Sequence, residues 1–169
     1  MVKISSGTLW SNTANWSIDG HFSSTYQNYK IFINQLTTED NGSTMYGRVN
    51  VGGSAHTSSD YSWSQINYYS TSSGHQGNNN QNMFRLCQNS NNDDHPACGE
   101  ITIFDPTNTG RRTQLIHHWH GCDSTGGATN GANGGAIFRG NSAVTGITIF
   151  SSGSGNVKTG AEYVVYGMK

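Results

Sequence analysis

The chain has 169 residues and a formal net charge of −1; 11% of it is charged, and it holds 22 Gly, six Phe, four Trp and eight Tyr. That length suits one domain with a core of its own. The aromatic content excludes disorder for want of core, and the near-neutral charge excludes the basic face that nucleic acid demands. No apolar run approaches the roughly 20 residues of a membrane helix. Residues 1–10 lack the apolar stretch of a signal peptide, so synthesis in a cytoplasm is expected. Helix formers are scarce and no window holds a 3.6-residue period, so the expectation is an all-β domain with polar turns.

In chain order, residues 5–10 read as a short strand or arm and residues 16–22 as a second, with Trp16, Ile18 and Phe22 at even spacing. Residues 1–22 could dock on the core or on a neighbouring subunit, because large aromatics near a terminus need cover. Residues 29–36 form a strand with Ile31 and Ile33 on one face and Phe32 and Leu36 on the other. Asn41-Gly42 marks a turn, and residues 45–51 read as the paired strand, with Met45, Val49 and Val51 inward. Residues 60–71 put Tyr61, Trp63 and Gln65 on one face and Ile66, Tyr68 and Ser70 on the other. The stretches 72–81, 89–97 and 124–135 are polar or Gly/Asn-rich and read as loops, separating strands at 83–88, 99–104 and 113–120.

The last third reads as strand, breaker, strand: residues 144–150, a Gly/Ser stretch at 151–155, and residues 161–166. There Tyr163 and Val165 oppose Val164 and Tyr166, and a strand so near the terminus belongs in a sheet interior. Roughly ten short strands at this spacing make an antiparallel β-sandwich, jelly-roll-like, as one domain over residues 1–169.

The same C-terminal stretch resembles a family of bacteriophage and prophage virion proteins, which includes tail-fibre-like and capsid-surface proteins. The likeness lies in Ile147-Thr148-Ile149, in Ser151-Ser152-Gly153 followed by Gly155-Asn156, and in the closing Tyr166-Gly167. Residues 5–10, 24–36, 47–53, 101–106 and 118–121 agree in order and spacing. The resemblance implies a β-sandwich structural module of a virus particle and carries no catalytic site with it.

Four constellations invite a chemical reading. His118 and His120 share a strand face opposite His117 and Trp119, and two histidines at this spacing can begin a metal site. No further ligand appears at a motif spacing, so no metal and no cofactor are expected and the pair remains a weak candidate. The oxygen-rich run 91–95 lacks the glycine and distal glutamate of a calcium loop. No nucleophile elbow accompanies the Ser, His and Asp residues, so no catalytic residue is assigned and the chain is expected not to be an enzyme. The aromatics Trp10, Trp16, Trp63 and Trp119 are candidates for a subunit interface, and Tyr61, Tyr68 and Tyr69 for stacking on a glycan. Cys87, Cys98 and Cys122 make an odd number; free thiols are expected, with a Cys87–Cys98 bridge as the alternative.

These readings converge on a virion structural protein, self-associating as a homotrimer and bound to the major capsid protein as a decoration or cement protein. The alternative is a tail-fibre or receptor-binding protein whose partners are tail proteins and a host cell-surface glycan. Neither role involves nucleic acid or a membrane.

Overall fold

The structure, a computed structural model, describes residues 1–88, 93–122, 129–153 and 155–169. Its strands in chain order are β1 (Val2–Thr8), β2 (Trp16–Ile18), β3 (Asn28–Leu36), β4 (Thr44–Val51), β5 (Ser54–Ala55), β6 (Tyr61–Tyr69) and β7 (Ser72–Gln81). There follow β8 (Phe84–Gln88), β9 (Ala97–Phe104), β10 (Thr113–Cys122), β11 (Thr129–Phe138), β12 (Val144–Ser151) and β13 (Glu162–Met168). A large sheet has eight strands in the order β1-β13-β3-β9-β10-β11-β6-β7; a small sheet has five, β2-β12-β4-β5 with β8 also paired to β4. All pairings are antiparallel, and the two sheets pack face to face as a β-sandwich. No helix among the described residues is long and apolar enough to cross a membrane.

Period-two alternation builds the core. Tyr29, Ile31 and Ile33 of β3 line up with Ile103, Ile101 and Gly99 of β9, and Val165 of β13 joins them on the inner face. Against them the small sheet turns Trp16, Ile18, Met45, Val49, Ile147 and Ile149, all but sealed from solvent. Tyr61 spans the two layers: its ring packs on Phe84 and Phe138, and its hydroxyl accepts from the Val49 amide at 3.2 Å and donates to the His56 carbonyl at 2.9 Å.

Several expectations change. Leu36 lies in the core rather than opposite it, because the pairing slips between Ile33 and Leu36 and Gln35 takes a positive φ of 54°. Such a bulge turns the next side chain to the other face. β3 and β4 do not pair with each other: the chain between them crosses from the large sheet to the small one, and β4 pairs with β12. Of residues 1–22, β1 pairs with β13 and β2 with β12 of the same chain, while Trp10 between them stays exposed. Among the described residues the strands number thirteen rather than about ten.

The largest difference concerns two stretches expected to be loops. Residues 72–81 form β7, an edge strand beside β6; of the stretch 124–135, residues 129–135 belong to β11, between β10 and β6, and 124–128 lie outside the described residues. Small residues in β11 make room for large neighbours. Trp119 and His117 of β10 face Ala132 and Gly134 across the pair, and a Cβ at Gly134 would lie 2.8 Å from the His117 Nε2 and 2.5 Å from the Gln65 Cβ. Gly99 likewise leaves the space that the Trp119 ring fills. Low β-propensity here marks close packing, not a turn.

Candidate functional site

The outward face of the large sheet is left open to solvent. Register fixes its rows. Phe104, Gln114, Ile137 and Ser62 stand in line across β9, β10, β11 and β6. The next rows are Thr102, Ile116, Gly135 and Ser64; then Glu100, His118, Asn133 and Ile66; then Cys98, His120, Gly131 and Tyr68. In this block Glu100 is the one formally charged side chain, and it pairs with Lys30 of β3 at 2.9 Å. Ile116 is 53% exposed and Ile66 47%, with Phe104 and Ile137 both at 38%, so large apolar groups lie bare to solvent.

Two shallow features shape the face. Gly131 and Gly135 leave the outer face of β11 low on either side of Asn133, a trough flanked by Ile116, His118 and His120 of β10 and by Ser64, Ile66 and Tyr68 of β6. Depressions of about 340 and 470 Å³ meet at Gly135 and Ser64, the first reaching Gln114 and Ile116 and the second His75 and Gly77 of β7. A further depression of about 270 Å³ lies over β9 and β10, lined by Phe32, Asn34, Cys98, Glu100, His118 and His120. Within the trough the Asn133 Nδ2 donates to the Tyr68 hydroxyl at 3.1 Å.

The inward side of the same strands is closed but not fully satisfied. His117 is buried, and desolvation, with His118 nearby, pushes its imidazole down to about 4, so it stays neutral. Among the described residues its Nδ1 finds no hydrogen-bond partner, nor do the Trp119 Nε1 and the Gln65 Oε1. Gln65 does donate from Nε2 to the Asn67 Oδ1 at 2.6 Å.

The candidate residues from sequence separate sharply. Trp16 and Trp119 are 4% and 1% exposed, and Tyr61 is fully buried, so none of these can meet a partner or a sugar; the core claims them. Trp10 is 86% exposed, and Trp63 packs partly buried against the core. Tyr68 and Tyr69 are both exposed but, as neighbours on β6, point to opposite faces. His118 and His120 share the outer face, where Cys98 and Glu100 stand opposite them, a juxtaposition that no spacing along the chain reveals. Cys87 and Cys98 are free thiols, the first buried and the second exposed; the side chain of Cys122 lies outside the described residues. Of the 91–95 run, Asn91 and Asn92 also lie outside the described residues, and Asp93 is held by Lys158 at 2.7 Å.

No protein-family model matches the chain, and no curated protein matches it. Among solved structures, the exo-inulinase from Aspergillus awamori aligns at 12% identity and a TM-score of 0.36, over 99% of this chain and 29% of the enzyme's. The CBM2 module of the evolved Dit of Lactobacillus casei BL23 phage J-1 aligns at 8% identity and a TM-score of 0.22, over 92% of this chain and 69% of that one. The chain thus spans less than a third of the length of the first of these. Likenesses this distant carry no argument about function.

Proposed function

We propose that the chain is a bacteriophage virion structural protein, and within that class a capsid decoration protein that joins shell subunits through the outer face of its large sheet. The observation that carries this reading is the charge-poor block on β9, β10, β11 and β6, with Phe104, Ile116, Ile137 and Ile66 exposed. Depletion of charge and exposed apolar area are what the centre of a protein–protein contact looks like before its partner arrives. The phage-like C-terminal motifs supply the virion setting. In this reading the protein associates as a homotrimer and with the major capsid protein, and its work is mechanical: apolar burial holds the subunits together.

The trough along β11 favours a second reading, a tail or receptor-binding protein that takes a neutral glycan. Tyr68 offers a ring face, while Asn133, Ser64 and His118 offer hydrogen-bonding groups on the same face. Copy number per purified particle, measured by quantitative mass spectrometry against the major capsid protein, separates the two. A ratio near one to one, or one per few shell subunits, is expected for decoration. A few trimers per particle would overturn it and make a glycan array on Tyr68→Ala the next experiment.

A further inference from the structure

Four side chains with metal-binding chemistry occupy one corner of the outer face. On β10, His118 and His120 are separated by one residue and so point the same way. Across the antiparallel pair, His118 stands opposite Glu100 and His120 opposite Cys98. The four line the same depression of about 270 Å³. Side chains two apart on a strand lie about 7 Å apart, and directly opposed ones about 4.5–5.5 Å. A metal ion seated above such a rectangle can be reached by imidazoles from one strand and by a thiolate from the next, at bond lengths of about 2.0–2.3 Å.

We propose that His118, His120 and Cys98 bind a borderline-soft divalent transition metal ion, Zn²⁺ or its Co²⁺ surrogate. Imidazole with thiolate is the donor set such ions prefer over Mg²⁺ or Ca²⁺. As the side chains stand, no three His, Cys, Asp or Glu groups among the described residues converge on one point. The backbone supplies what matters first, because the sheet fixes where each side chain starts, and His118, His120 and Cys98 are all exposed and free to change rotamer at little cost. Glu100 keeps its carboxylate on Lys30, 2.9 Å away, and so remains outside the ligand set. Three protein ligands leave a fourth, open position, filled by water in the isolated protein.

The test is a Co²⁺ titration of the full chain after stripping with EDTA, followed by visible and near-ultraviolet absorption. The expected result is one Co²⁺ per chain, with a thiolate-to-metal charge-transfer band that Zn²⁺ displaces. That band disappears in Cys98→Ser and persists in Cys87→Ser and Cys122→Ser, while His118→Ala and His120→Ala each weaken binding by at least about tenfold. Far-ultraviolet circular dichroism and Tm stay at wild-type values in the Cys98, His118 and His120 variants, since all three positions face solvent. Absence of the band, its survival in Cys98→Ser, or affinity unchanged in either histidine variant would overturn the assignment.

Discussion

The two outer faces of this sandwich are built on opposite plans. On the small sheet the outward polar groups satisfy one another: Thr148 donates to the Asn50 Oδ1 at 2.7 Å, and Asn50 donates to the Ser17 Oγ at 2.9 Å. Beside that ladder the Arg48 guanidinium lies 4.2 Å from the centre of the Phe150 ring, and Tyr46 stacks on the same ring. Asn50 and Thr148 are almost wholly buried even though they face away from the core. On the large sheet, by contrast, Ile116, Ile137 and Phe104 stand bare. The first face is finished by its own chain, and the second keeps large apolar groups in solvent. That contrast, more than any single residue, is what the proposed assembly through the large sheet rests on.

Three variants would break or sharpen the contrast. Trp119→Ala sets the upper bound, because it empties the space over Gly99 and Ala132 beneath the large sheet. A loss of about 3–5 kcal/mol in urea unfolding is expected, and a loss below about 1 kcal/mol would mean that the inner face is loosely packed. Asn50→Ala severs both hydrogen bonds of the small sheet's ladder and leaves the Thr148 hydroxyl without its acceptor. It should cost about 1–3 kcal/mol in the same assay. Ile116→Asp should change monomer stability by no more than about 0.5 kcal/mol, yet abolish self-association in sedimentation velocity if the large sheet is the contact face. An oligomer that survives it would move the interface elsewhere.

The smallest structural effect is expected from thiol labelling. Burial pushes the Cys87 thiol up to about 12, so it stays protonated and shielded at pH 8, whereas Cys98 lies open on the outer face. Native Cys122→Ser protein should therefore label at Cys98 and not at Cys87 with a thiol reagent, as read by peptide mass mapping. Fast labelling at Cys87 would show that the β4–β8 edge opens readily.

Alternation made much of the fold legible. Ile31, Ile33, Tyr61, Trp63, Tyr163 and Val165 point as period two predicts, and the C-terminal strand lies inside a sheet between β1 and β3. Composition misled where Gly and Asn were read as turn formers. In β11 they are the small partners that Trp119, His117 and Gln65 require, and that requirement comes from neighbouring strands rather than from local preference. Trp16, Trp119 and Tyr61 drop out of the candidate aromatics for a related reason: sequence shows that a large ring needs cover, not whether its own chain provides it, and for these three it does.

The sequence by itself determined the class of the domain and the facing of side chains along most strands, because both follow from local alternation and from the scarcity of helix formers. Only the tertiary structure decided which strands are neighbours. Pairing between β9 and β10 brings Cys98 and Glu100 opposite His120 and His118, and pairing of β11 with β10 and β6 makes the trough. Such rows join residues far apart in the chain, and their register is set by which side chains fit together across the sheet, a property no single segment carries.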